Sequence, residues 1–211
     1  MGNLTLFTSY TPGAGKTYFM LAKAMEQRSA GKKVTIGFIY GRHRDTAAIL
    51  GDHGIKEDIP SGYSVKDIIK SGSDLVVMDE MGVYGKNIDD RHTFVYEDIQ
   101  KILDFGMDVY ASINLKKFAG INKYFREYSG IAVKKCVPDL FLEEAAKIFY
   151  LDRDPEKMRE DYTSGNLFGE RYMKTKIMNK NFRIDTLLAY RRIGLDCIKE
   201  YGDKTEVIVR N

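Results

Sequence analysis

Leu4-Thr5-Leu6-Phe7-Thr8-Ser9-Tyr10-Thr11-Pro12-Gly13-Ala14-Gly15-Lys16-Thr17 decides how the rest of the chain is read. Residues 4–9 are short and largely apolar, as a strand covered on both faces must be. After the glycines a helix is expected from about residue 16 to 28, with Gly31 placed to stop it. Glycines let the backbone curl so that consecutive N–H groups face one point, and the helix N-terminus adds partial positive charge there. The segment Thr11-Pro12-Gly13-Ala14-Gly15-Lys16-Thr17 therefore reads as a phosphate loop. Lys16 is assigned to the β- and γ-phosphates, and the Thr17 hydroxyl to Mg2+. The strict consensus wants a glycine five residues before Gly15, where Tyr10 stands. An ordinary turn before a helix is the alternative, and the strand-to-helix context counts against it.

Working outward, residues 34–40 read as a second buried strand, 46–50 as a helix, 55–61 as a short strand or turn, and 65–69 as a short helix. Leu75-Val76-Val77-Met78 forms a third strand. Residues 82–90 lack apolar period and read as a loop and candidate mobile element. A helix over 93–105, a strand over 107–113, a helix over 118–128 and strands over 131–137 and 146–151 follow. Alternation of this kind predicts an α/β fold: a three-layer, parallel-sheet P-loop NTPase fold with its ligand site at the carboxyl ends of the strands. Beyond Pro155 the pattern turns helical. The expected division is a nucleotide-binding domain over 1–154 and a helical C-terminal appendage over 155–211, packed on it.

Asp79 and Glu80 directly follow the third strand, where a Walker B pair belongs. Asp79 is assigned to Mg2+ through water, and Glu80 is the candidate catalytic base for water or a substrate hydroxyl, the alternative being a solvated acidic turn. Ser112 and Asn114 end the fourth strand, where a polar side chain senses a γ-phosphate or merely caps the strand. Arg44, Arg91 and His92 flank the expected mouth, though a lone arginine is more often solvated surface. Tyr40, Tyr84 and Tyr110 are candidates to stack on a base, but with 14 tyrosines in the chain most must be packing residues.

Composition narrows the classes. The 33 basic and 30 acidic residues are interspersed, so the net charge of +3 does not favour nucleic acid. Cys136 and Cys197 have no CxxC spacing, and the histidines have no metal-ligand spacing, so neither a structural disulfide nor zinc is expected. The start lacks the pattern of a signal peptide, and no apolar run reaches the roughly 20 residues that span a bilayer, so the cytoplasm is the expected location.

The order of the motifs resembles the KdpD sensor N-terminal domain family. Pro12-Gly13-Ala14-Gly15-Lys16-Thr17-Tyr18, residues 75–80, Arg91-His92, Gly106-Met107-Asp108-Val109-Tyr110 with Asn114, and Val137-Pro138-Asp139 carry the likeness over residues 4–195. The resemblance implies an ATP-binding regulatory domain of an osmosensitive, potassium-responsive histidine kinase, in which nucleotide occupancy sets the balance of kinase and phosphatase activity. It implies ATP rather than another nucleotide, with Gly13, Gly15, Lys16, Thr17 and Asp79 at the nucleotide site; Pro12, Ala14 and Tyr18 of the same loop and Asn114 at the end of the fourth strand are the further expected cofactor contacts, with Thr17 and Asp79 at Mg2+. Two departures stand out: Gly41-Arg42-His43-Arg44 stands in place of the family's Thr-His-Gly-Arg element, and Val83-Tyr84-Gly85 replaces its His-Thr-Asn. Full-length members continue into a stress-protein-like domain, membrane helices and a histidine kinase core. This chain is expected to act without them, as a fragment or a stand-alone switch on a protein partner in a signalling pathway. The competing readings are an ATPase or small-molecule kinase using Glu80, and a ring-forming motor, which requires an oligomer.

Overall fold

The computed structural model describes residues 1–40, 44–52, 62–131, 133, 135–167 and 175–210, with residues 44–47 and 176 described by backbone alone. The histidines at 43 and 53, the side chain of Arg44, the departure at 41–43 and the strand or turn expected over 55–61 lie outside what is described.

Six strands form one sheet: β1 (Leu4–Ser9), β2 (Val34–Phe38), β3 (Leu75–Met78), β4 (Asp108–Asn114), β5 (Lys147–Arg153) and β6 (Thr205–Arg210), in the order β2-β3-β4-β1-β5-β6. Every neighbouring pair is parallel. Parallel strands need crossovers, and helices supply them on both faces. Alternate residues of one strand serve opposite layers. Phe7, Leu75 and Val77 pack with Met20, Leu21 and Met25 of α1 (Lys16–Ser29). Leu6, Val76, Val109, Ala111, Ile113 and Ile148 pack on the other side, against Ile99 and Ile102 of α4 (Val95–Asp104) and Phe125 of α5 (Ala119–Ser129). The three-layer α/β architecture is thus the direct product of strands that are apolar at successive positions.

Among the described residues the remaining α-helices are α2 (Arg44–Asp52), α3 (Val65–Ser71), α6 (Leu140–Glu144), α7 (Pro155–Thr163), α8 (Lys176–Asn181) and α9 (Ile184–Ile198). Among the described residues beyond α7, helices form at Lys176–Asn181 and Ile184–Ile198, but the chain then returns as β6 along the edge of β5, with Leu151 level with Ile208 and Arg153 level with Arg210. The strand expected over 131–137 does not form among the described residues there: Val137 makes a single bridge to Phe118. Both sides of β1 are already taken, by β4 and β5, which leaves this segment no edge beside it. Residues 82–90 are tied down as well as irregular. Tyr63 N–H donates to Lys86 O at 3.0 Å, Ile88 N–H donates to Tyr63 O at 2.7 Å, and Asn87 is buried. Among the described residues no helix is long and apolar enough to cross a membrane.

Candidate phosphate-binding site

β1 is central, so its carboxyl end delivers the glycine loop to the middle of the sheet edge, beside the ends of β4 and β5. Gly13 and Gly15 adopt φ values of 84° and 88°, a region open to glycine at no steric cost, and this turns the chain into α1. The helix opens on Gly15 with no side-chain cap and no acidic residue in its first turn. Some helices here are capped by a side chain, as where Ser64 Oγ accepts from Asp67 N–H at 3.1 Å and an Asp154 oxygen accepts from Glu156 N–H at 2.9 Å, whereas α1, like α5 and α9, is not. The first N–H groups of α1 are therefore left for an anion to satisfy, at the positive end of the helix dipole.

Lys16 is buried, and its amine donates to Ser9 Oγ at 3.2 Å and to Thr11 O at 3.5 Å. Burial pushes its pKa down, opposed by the nearby Glu80 and Asp79 carboxylates. Tyr10 does not obstruct the loop. Its ring is fully buried in the core and its hydroxyl donates to Arg153 O at 2.6 Å, so the consensus glycine is replaced by a residue turned away from the cradle.

Because β4 lies between β1 and β3, Asp79 meets Thr17 across Ser112. Thr17 Oγ1 donates to Asp79 Oδ1 at 3.0 Å, Tyr40 N–H donates to Asp79 Oδ2 at 3.0 Å, and the Ser112 hydroxyl also donates to Asp79. Burial raises the Asp79 pKa, an effect the hydrogen bond from Ser112 opposes. The chain turns sharply here, with Glu80 at φ 50°, uncommon for a residue with a side chain. Glu80 N–H donates to Ser112 Oγ at 3.1 Å, and its carboxylate pairs with Lys117 at 2.6 Å. Asn114, level with Ser9 in the register, keeps a buried Oδ1 with no hydrogen-bond partner.

The donor set fits a magnesium-bound polyphosphate. A hydroxyl and a carboxylate meet beside an amide-lined loop, and no cluster of three or more acidic, His or Cys side chains exists among the described residues to make a closed metal cage. Mg2+ is usually held in this open way, by one or two protein oxygens plus substrate phosphates. Arg91 and His92 are exposed on the far loop, where His92 Nδ1 lies 3.4 Å from the Tyr84 hydroxyl. Tyr110 packs 5.2 Å from Phe7 under α1, so it belongs to the core. Tyr84 packs 4.9 Å from Phe94, whereas Tyr40 stays half exposed next to the Asp79 contact.

Sequence reading missed Lys116 and Lys117, which follow β4 directly, and two arginines brought in by β5 and β6. Burial together with Lys117 and Lys16 lowers the Lys116 amine to about 8. Arg153 Nη1 donates to Gly13 O at 3.2 Å. No local motif marks these residues; a run of polar residues at a strand's carboxyl end is the one signal that points to them.

A family model described as "Osmosensitive K+ channel His kinase sensor domain", KdpD, matches residues 1–200. The sensor protein KdpD of Clostridium acetobutylicum is 26% identical over 203 residues, covering 92% of this chain and 22% of that protein. The putative sensor protein KdpD of Synechocystis sp. is 28% identical over 210 residues, covering 92% of this chain and 54% of that protein. The chain thus spans about a fifth of the one relative and about half of the other. Among solved structures, AMPPCP-bound DnaA from Aquifex aeolicus matches with a TM-score of 0.33 and 17% identity, covering 95% of this chain and 59% of that one, a likeness too low to carry any argument. With the family model matched over residues 1–200, this chain belongs to the KdpD family of osmosensitive K+ channel histidine kinase sensor domains.

Proposed function

We propose that the chain is a nucleotide-dependent switch of a potassium- and osmotic-stress signalling system, acting in the cytoplasm on a protein partner. In this reading residues 1–154 hold ATP with Mg2+, and residues 155–211 are an appendage packed on that part. The observation that carries it is the meeting of Lys16, the uncapped start of α1 and the Thr17–Asp79 contact at one end of the parallel sheet.

The main-chain N–H groups of residues 13–18 and the Lys16 amine bind the phosphates, and Asn114 stands at the same edge with a buried Oδ1 free to accept from a donor of the ligand or its water. Thr17 and Asp79 hold Mg2+, which when bound neutralises phosphate charge. Occupancy is read out through Asp79. Its oxygens are shared by Thr17 on α1, the backbone of Tyr40 and Ser112, and Ser112 in turn holds the backbone of Glu80. Were Thr17 and Asp79 to hold the ion, the hydrogen bonds that Asp79 and Ser112 make to the start of residues 80–90 would change with it. Only a ligand with different affinities for the two arrangements shifts their populations.

A second reading, ATP hydrolysis or phosphoryl transfer to a small hydroxyl substrate, is favoured by Glu80, one residue beyond Asp79 and oriented by Lys117. Hydrogen exchange and phosphate release, followed on the same sample, separate the two. The switch reading expects MgATP to slow exchange in residues 80–90 with no phosphate release above a Lys16→Ala control. Unchanged exchange with ATP bound contradicts it, and turnover that Glu80→Gln abolishes establishes the enzyme.

A further inference from the structure

β6 ends on Arg210, level in the register with Arg153 at the end of β5, and both arginines reach the phosphate loop. Arg153 holds the Gly13 carbonyl, and its charge is matched by Asp161. Arg210 has come closer still. Its guanidinium occupies the space beside Gly15, where an added Cβ would lie 2.2 Å from Nη1, and Cζ stands 5.7 Å from the centre of the Tyr18 ring. Arg153, Arg183 and Arg191 each face an aspartate. Arg210 makes no ion pair among the described residues.

The position is unfavourable for a cation. The N-terminus of α1 carries partial positive charge, its first turn has no acidic residue, and Arg153 stands alongside on the neighbouring strand. A polyanion on the loop supplies the opposite charge that the helix end and this guanidinium both lack. A guanidinium is suited to this because its planar fork meets two phosphate oxygens at once, and an aromatic ring behind it fixes the plane.

We propose that Arg210 is a phosphate ligand of the nucleotide site, delivered by the C-terminal strand and backed by Tyr18, so that bound nucleotide ties β6 to α1. The proposal rests on the nucleotide reading above. Arg210 lies beyond residues 1–200, so the family match assigns it no role. Gly15 is required here by its positive φ, and its missing Cβ leaves the room this guanidinium occupies.

The test is calorimetric titration of the full chain with MgATP, comparing wild type with Arg210→Gln, which keeps most of the stem and removes the charge, and with Arg210→Lys. Arg210→Gln is expected to weaken binding about tenfold or more, the scale of a charge-assisted hydrogen bond. Arg210→Lys should lose less, and the unliganded melting temperatures should agree within about 2 °C, the shift of at most about 1 kcal/mol in a domain of this size. Wild-type affinity in Arg210→Gln overturns this proposal alone and leaves the nucleotide reading standing. No binding by the wild type overturns both. If Arg210→Gln unfolds, Arg210→Met takes its place as the charge-removing variant: affinity weakened about tenfold or more with the fold intact supports the proposal, and wild-type affinity overturns it.

Discussion

Asp79 holds most of the site's tension at the scale of single residues. It is a carboxylate in the interior, its pKa raised by desolvation, and Lys16 is a buried amine with its pKa lowered for the same reason. Each charged form is destabilised in the fold, the usual signature of a site organised for a ligand rather than for stability. A carboxyl group whose folded pKa is raised costs stability as pH climbs past the ordinary carboxylate range near about 3.9, because the unfolded chain ionises first. Asp79→Asn should therefore raise the stability of the unliganded protein by about 1 kcal/mol at neutral pH, with the gain vanishing in acid, while Mg-dependent nucleotide binding falls. Urea melts at neutral and acid pH read this directly; a destabilised Asp79→Asn would contradict it. Lys16, Thr17 and Asp79 were legible in the sequence because each sits within a few residues of a strand end and carries its own local context. Arg153, Arg210 and Lys117 were not, since only tertiary proximity brings them to the loop.

Among the elements, α9 explains how Tyr10 can stand where a phosphate loop ordinarily has glycine. The helix presents Gly194 to the sheet, and an added Cβ would lie 2.3 Å from the Tyr150 hydroxyl and 3.1 Å from Tyr10 Cβ. α9 is also clamped to β5 by Arg191, whose Nε and Nη2 each donate to Asp152 at 2.7 Å. Tyr10 is thus a shared core residue of the loop and the C-terminal helix, which couples the two mechanically. Gly194→Ala should lower the urea midpoint by the equivalent of about 1–3 kcal/mol, the cost of overpacking, and an unchanged midpoint would show that the contact yields freely. Periodicity predicted α4 and α5 closely. It failed at residues 131–137, where a β-like composition met a sheet with no open edge beside β1. It also understated residues 82–90, whose order comes from hydrogen bonds to the distant Tyr63 rather than from their own composition.

For the whole molecule, the strand order is what assembles the site. β4, inserted between β1 and β3, brings Ser112 onto the same Asp79 carboxylate that Thr17 contacts, and β5 and β6 extend the sheet so that Arg210 returns to the phosphate loop. The α/β class and parallel sheet were readable from alternating strands and helices. The order of the strands was not, because parallel pairing joins segments far apart in sequence and leaves no local trace. β6 was overlooked for a related reason: it is an edge strand with half its residues exposed, and its apolar run is only the three residues Val207-Ile208-Val209. Everything proposed for the molecule depends on one property, nucleotide bound at residues 13–17. The most direct measurement is calorimetric titration of wild type and Lys16→Ala with MgATP. Saturable binding that the substitution weakens about a hundredfold, as two charge-assisted hydrogen bonds of about 1.5 kcal/mol or more each imply, is the expected result. Equal affinity in the two proteins, or none in the wild type, would contradict it.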